Sequence, residues 1–296
     1  MVSSIIGAYL TEKGIISSEQ LQDVLNEQQK VRVKLGLIAV AEGLMTQAEA
    51  DKVNRLQATM DKRFGDIAVE LGYLNGEQVE SLLKKQGNAY MAFAQALNDL
   101  GIMDINRLEQ YVDDFKKANN MASSDIEAIK SDDIDRILPL YMPAGAEPYY
   151  EVCGVMVRTF TRFVDSMIFP GKGYMTDCLD ADNAAIQLAA GNPKVTTGMA
   201  GTGDSLLELA VKFGKADFET IDEEAIDAVA EFVNCVNGLY VSALSLRGIE
   251  LELMPPEYAI DISEIDSDKM LVLPIHIGDN CINYVVSLNG DISMKA

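Results

Sequence analysis

Four glycines constrain the first half of the chain more than any other feature. Gly14, Gly43, Gly72 and Gly101 recur every 29 residues, each followed by an apolar pair: Ile15-Ile16, Leu44-Met45, Tyr73-Leu74 and Ile102-Met103. Seven positions after each glycine stand Leu21, Ala50, Val79 and Leu108. Seven before stand Gly7, Gly36, Gly65 and Ala94. Fourteen after stand Gln28, Gln57, Gln86 and Phe115. Agreement at several positions across four copies marks a repeat array. Each unit reads as a short helix (LGLIAVAEG, FGDIAVELG), a turn at the glycine and a longer helix (GEQVESLLKKQ). Ser17, Thr46, Asn75 and Asp104 occupy the N-cap places. Units this short cannot bury their apolar faces alone, so they are expected to pack on one another. The reading is an all-α domain of four 29-residue units over 1–118.

Two of the copies, Lys34-Leu35-Gly36 through Gln57 and Arg63-Phe64-Gly65 through Gln86, resemble the MshE N-terminal (MshEN) repeat of type II secretion and pilus ATPases. That resemblance implies binding of cyclic di-GMP, with Lys34, Gly36, Arg63 and Gly65 at the nucleotide. An arginine there would stack on a guanine and face the phosphates. The first and fourth copies carry Ile5 and Ala92 at that position. The departures favour the other reading, an interaction scaffold in which the glycines are only helix ends.

From about Asn119 the period fades. The polar, acidic stretch 119–147 ends in Pro143 and Gly145, and reads as two short helices and a turn forming a connector. The remainder, 148–296, begins with a helix over Tyr149–Ile168. Strands follow at GYMTDCLD, NAAIQLAA and KVTTGMAG, then a helix opened by Asp204 or Ser205. A second helix over Thr220–Gly238 precedes strands at LYVSALSLRG, IELELMP, MLVLPIHIG and CINYVVSL. This order predicts an α+β domain with helices packed on a sheet.

Within it, DAVAEFVNCVN (Asp227–Asn237) places Asp227, Glu231 and Asn234 on one helical stripe and Ile226, Val229, Ala230, Val233 and Val236 on the opposite one. Thr220 and Glu223 form a T-x-x-E capping box, and Gly238 stands where a left-handed cap would fall. Asp227 and Glu231 are like charges one turn apart, which weakens a helix by a few tenths of a kcal/mol, on the order of 0.2–0.5. A carboxylate beside a carboxamide suits a partner that brings a cation and a polarised oxygen. It also suits a plain solvated face.

The stretch resembles the signature of the CheC/CheX/FliY chemotaxis phosphatases: an acidic or Ser residue, E-x-x-N, and a proline further on. Here these are Asp227, Glu231, Asn234 and Pro256, beside Pro255. The resemblance covers roughly Glu147 to the C-terminus and implies a CheX-like domain that hydrolyses the aspartyl phosphate of a CheY-like response regulator. It implies that Asn234 orients the attacking water, that Glu231 pairs with the partner's lysine, and that Asp227 and Pro256 support them. The Mg²⁺ would belong to the partner, leaving this chain without a cofactor of its own. The helix Tyr149–Ile168 carries no E-x-x-N, so one active site per chain is expected, and the resemblance allows a homodimer.

Composition narrows the alternatives. A length of 296 residues suggests two domains. A net charge of −22 disfavours nucleic acid and anionic lipid as partners. No apolar run is long enough for a membrane span, and the N-terminus lacks the layout of a secretory signal, which together predict a cytoplasmic protein. Cys153, Cys178, Cys235 and Cys281 fit no zinc spacing and are expected as reduced, mostly buried thiols. The sole histidine, His276, lies in a strand-like run and reads as structural. GMAGTGDS (198–205) lacks the Lys–Ser/Thr pair of a phosphate loop, and Asp261, Glu264, Asp266 and Asp268 lack EF-hand spacing and are expected in a solvated loop. The rival reading is a non-enzymatic signalling adaptor, whose repeats bind a cyclic dinucleotide or a partner while the second half docks a receiver domain.

Overall fold

Left-handed glycines punctuate the first half. Gly14, Gly43, Gly72 and Gly101 adopt φ of +67°, +66°, +71° and +68°. In each case the following residue donates to a carbonyl five residues back (Ile15 to Leu10, Leu44 to Ala39, Tyr73 to Ala68, Ile102 to Leu97), all at 2.9 Å. This is the hydrogen bond that closes a Schellman cap, and glycine reaches the required φ without a Cβ penalty. The computed structural model describes residues 1–31, 33–57, 62–278 and 280–295. Two compact units result, Val2–Asp133 and one running from Ile134.

The first unit is helical: α1 (Val2–Glu12), α2 (Ser18–Gln28), α3 (Leu35–Ala41), α4 (Gln47–Gln57), α5 (Phe64–Glu70), α6 (Gly76–Lys84), α7 (Ala89–Asp99), α8 (Ile105–Ala118) and α9 (Ser123–Ser131). Ser17, Asn75 and Asp104 cap α2, α6 and α8 by accepting the N–H three residues on, and Thr46 Oγ1 does the same for Glu49 at 3.3 Å. The second apolar residue after each glycine (Ile16, Met45, Leu74 and Met103) is buried. Gln28, Gln57 and Gln86 each donate a side-chain N–H to a backbone carbonyl, those of Ala89, Lys62 and Val33.

The glycines within the short helices have a packing reason. A Cβ on Gly7 would lie 2.4 Å from Leu21 Cδ1, one on Gly65 2.8 Å from Val79 Cγ1, and one on Gly36 2.9 Å from Phe64 Cζ. At Gly7 and Gly65 one helix lies directly against the next, α1 on α2 and α5 on α6.

The second unit opens with α10 (Ile134–Ile137), two 3₁₀ turns at Leu138–Tyr141 and Glu147–Tyr149, and α11 (Tyr150–Phe163). The strands β1 (Phe169–Pro170), β2 (Tyr174–Asp180), β3 (Asn183–Gly191) and β4 (Val195–Gly201) follow. Next come α12 (Leu207–Gly214) and α13 (Glu223–Ser245), then β5 (Leu251–Leu253), β6 (Glu257–Ile260), β7 (Glu264–Ile277), β8 (Asn280–Leu288) and β9 (Ser293–Lys295). Among the described residues all strands join one antiparallel nine-stranded sheet in the order β1-β7-β8-β4-β3-β5, with β2 and β9 also on β7, and β6 also on β3. α13 lies on β3 and β4 and packs against α11 and α12. Ala184, Ile186, Ala200, Met270, Val272 and Val285 cluster in the core with Ile262 and Ile292.

Several expectations change. Glu264, Asp266 and Asp268 belong to β7 rather than a loop, and Lys295 of β9 neutralises Glu264 and Asp266 at 3.0 and 3.2 Å. α12 starts after Leu206, with no side-chain cap from Asp204 or Ser205. Of the four free thiols Cys153 is buried, Cys178 and Cys235 are half-buried and Cys281 is exposed. His276 stacks on Phe169 with ring centroids 4.6 Å apart, and burial pushes its pKa down. No helix among the described residues is long and apolar enough to cross a membrane.

The close approach at Gly65 is testable. Gly65→Ala should destabilise the chain by about 1–3 kcal/mol, the usual cost of overpacking, read as a lower midpoint in urea unfolding. An unchanged midpoint would mean that α5 and α6 are not in contact there.

Candidate functional site

The local chemistry of α13 decides where its polar stripe sits. Asp222, not Thr220, is the N-cap: its carboxylate accepts the Ala225 N–H at 2.9 Å. The chain is still turning at Thr220, whose carbonyl accepts from the Asp222 N–H at 3.1 Å. Gly238 does not end the helix, which runs on to Ser245. The left-handed glycine is Gly248, at φ +79°, where Ile249 donates to Leu244 O at 3.2 Å. LYVSALSLRG is therefore mainly helix rather than strand. Tyr240 and Leu244, four residues apart, prolong the buried stripe of Val229, Val233 and Val236. Over so short a run the alternating and helical patterns are both compatible with the letters, and packing chooses between them.

On the opposite stripe Asp227 and Glu231 are exposed and Asn234 is half-buried. Asn234 Nδ2 faces Glu231 Oε2 at 3.5 Å. Its Oδ1 accepts from Gln187 Nε2 at 2.8 Å. Gln187 Nε2 also donates to the Met254 carbonyl at 2.8 Å, and Gln187 Oε1 accepts from Asn237 Nδ2 at 2.9 Å. Asn237 Oδ1 in turn accepts from the Thr197 hydroxyl at 2.8 Å. Gln187 and Thr197 are direct cross-strand partners in β3 and β4. The direction of every bond follows from one of them. A main-chain carbonyl can accept but not donate, so Met254 fixes which end of the Gln187 amide is nitrogen, and that fixes the rest. Gln187, Thr197 and Asn237 are at most 2% exposed. Each would cost about 1–3 kcal/mol if left unpaired.

The prolines shape the same corner. β5 pairs with Ala189–Gly191 and β6 with Asn183–Ile186 of β3, and the break between them is Met254-Pro255-Pro256. Met254 N–H makes a bond to Leu188 O at 2.9 Å. Proline has no N–H to continue the ladder, so the edge strand is interrupted there. The Met254 carbonyl then serves the Gln187 side chain. Met254, two residues before Pro256, thus connects to Asn234 through the Gln187 amide.

Burial and the Glu231 carboxylate push the thiol pKa of the neighbouring Cys235 up, which favours its protonated form. Sequence reasoning missed Gln187, Thr197 and Asn237. The available signal was polar residues inside otherwise apolar strands, NAAIQLAA and KVTTGMAG.

In the helical unit, Lys34, Arg63 and Gly65 line one cleft of about 490 Å³ with Leu35, Phe64 and Gln86. Gly36 lies outside it, in an adjoining hollow, under the Phe64 ring. Lys34 Nζ is paired with Asp99 at 2.9 Å.

Residues 183–276 match the family described as Chemotaxis phosphatase CheX, a span holding Asp227, Glu231, Asn234 and Pro256. The C-terminal half contains a CheX-like domain. Among solved structures, the chain is similar to a CheC-like superfamily protein from Shewanella sp. PV-4 (18% identity, 47% of this chain and 96% of that one, TM-score 0.42). It is similar also to a chemotaxis protein CheX from Desulfovibrio desulfuricans (17%, 47% and 96%, TM-score 0.41). A third is the CheX–CheY–BeF₃–Mg²⁺ complex from Borrelia burgdorferi (16%, 50% and 97%, TM-score 0.39). No curated protein matches the chain.

The cap assignment within the CheX-like domain separates two neighbouring residues. Asp222→Ala should lose about 1 kcal/mol of stability, whereas Thr220→Ala should stay within a few tenths, about 0.3 kcal/mol. Thermal unfolding of the two variants side by side makes the comparison, and the reverse ranking would restore the T-x-x-E box.

Proposed function

We propose that this chain is a phosphatase for the aspartyl phosphate of a CheY-like response regulator, with Glu231 and Asn234 as its working pair. The observation that carries the reading is the exposed carboxylate and half-buried carboxamide side by side on α13, the carboxamide held by a buried amide behind it. The match of this segment to the chemotaxis phosphatase family supports it.

In this reading α13 docks across the partner's phosphorylation site. Glu231 leaves its loose 3.5 Å contact with Asn234 and pairs with a partner lysine. Asn234 Nδ2 is then released towards the phosphoryl group. Asn234 Oδ1 keeps its bond from Gln187 and has a second lone pair to accept a proton of the incoming water. The water oxygen attacks phosphorus in line, the bond from phosphorus to the aspartyl oxygen breaks, and the products are a free carboxylate and inorganic phosphate. Positioning supplies most of the acceleration in such a transfer. The Mg²⁺ is assigned to the receiver's own site. Asp227 lies at the rim of the docking helix, and Pro256 shapes the edge behind Asn234.

Phosphate release from a panel of phosphorylated receiver domains tests this. Wild-type chain should accelerate it, and Asn234→Ala should lower the rate by about 100-fold with its fold retained. Full activity in Asn234→Ala would sink the mechanism.

A second reading concerns the helical unit and follows from the cleft shared by Lys34, Arg63 and Gly65. Its volume, about 490 Å³, falls among those of small-molecule sites. Cyclic di-GMP would place a guanine against Arg63 and Phe64, with its phosphates towards the cation. Ligand at 100 times its Kd stabilises the folded state by about 2.7 kcal/mol. A rise in melting temperature that Arg63→Ala removes is expected, and an unmoved melting curve in the wild type counts cyclic di-GMP out.

A further inference from the structure

We infer that Gln187 is a positioning residue for the proposed phosphatase site, setting the orientation in which Asn234 presents its amide. The inference rests on the phosphatase reading. A lone asparagine on a helix face has two amide orientations, related by a half-turn, that exchange its oxygen and nitrogen. They offer opposite hydrogen-bonding patterns to a phosphoryl group and a water. Here one of them is excluded. Gln187 Nε2 is bound at 2.8 Å to both the Met254 carbonyl and Asn234 Oδ1. Turning the Asn234 amide over would set its N–H groups against those of Gln187. Gln187 cannot turn to accommodate it, because its nitrogen would then be lost to the Met254 carbonyl and its oxygen to Asn237 Nδ2. Asn237 is itself pinned by the Thr197 hydroxyl.

The orientation of the half-buried Asn234 amide is thus dictated from the sheet, through residues that are themselves at most 2% exposed. Gln187 sits at the one stretch of β3 that neither β5 nor β6 covers, which gives the proline break a role in the same device. The reacting group therefore needs no titratable neighbour to be held in place.

The test uses the full chain and a receiver domain that it dephosphorylates. Gln187→Met removes both donated bonds at similar volume. It should lower kcat by about 100-fold, while affinity for the beryllofluoride- and Mg²⁺-loaded receiver stays within about threefold. In an Asn234→Ala background the same substitution should cost nothing further, since the two residues act as one unit. Gln187→Glu keeps the shape but adds a titratable group. Protonated, it has one O–H to donate, and ionised, it can only accept. Its activity should therefore fall as pH rises through the ionisation of that carboxyl, a limb absent from the wild type.

A readout independent of activity is the order of the Asn234 Nδ2H₂ group by NMR, which should fall below about 0.6 in Gln187→Met. Retained kcat in Gln187→Met, or an equal loss with and without Asn234, would overturn the proposal. So would an Asn234 amide that stays ordered in the variant. If the wild type hydrolyses no receiver phosphate, the phosphatase reading fails, and the NMR arm alone decides whether Gln187 sets the amide.

Discussion

A single buried carboxamide joins the parts of the second unit that matter for its proposed chemistry. The Gln187 amide ties β3 to α13 at two points, Asn234 and Asn237, and to the edge of the sheet at the Met254 carbonyl. In a largely apolar core, a two-donor, one-acceptor group with all three of these bonds filled tolerates one arrangement of its neighbours. Apolar contacts between α13 and the sheet would allow small slides along the helix axis. The amide does not, because any slide leaves a buried polar atom without a partner. Glu231 and the half-buried Asn234 inherit this rigidity, since they stand on the same helix within two turns of the anchored Asn237.

The two units solve their packing problems differently. In the helical unit the recurring devices are local: a left-handed glycine, a side-chain N-cap three residues later and a buried apolar residue between them. Each acts over a handful of residues, so each is written directly in the letters. In the second unit the decisive pairings reach across 40 to 67 residues, from Thr197 to Asn237 and from Gln187 to Met254. No local pattern announces them.

This difference explains which expectations held. The stripe of Asp227, Glu231 and Asn234 against Ile226, Val229 and Val233 was legible because helical periodicity alone puts them on opposite faces. The ends of the same helix were misread. Thr220 with Glu223 has the letters of a cap, but Asp222 outcompetes it by holding the Ala225 N–H, and Gly238 has the letter of a stop without the positive φ. A glycine tolerates a helix interior when the residues beyond it, here Tyr240 and Leu244, have a core to bury into. The acidic run Glu264–Asp268 looked like a solvated loop because its neutralising lysine, Lys295, arrives from the far end of the chain.

The sequence by itself determined the helical nature of the first half, the places where its helices turn, and the polar face that carries Glu231 and Asn234. These depend on φ preferences, capping and periodicity, which act within a turn or two. The tertiary structure alone decided that Gln187, Asn237 and Thr197 stand behind Asn234, that the Pro255-Pro256 break frees a carbonyl for them, and that Lys34 and Arg63 share a cleft. Hydrogen bonds between distant segments are specified by where whole strands and helices pack, and that information resides in the fold rather than in any one stretch of the chain.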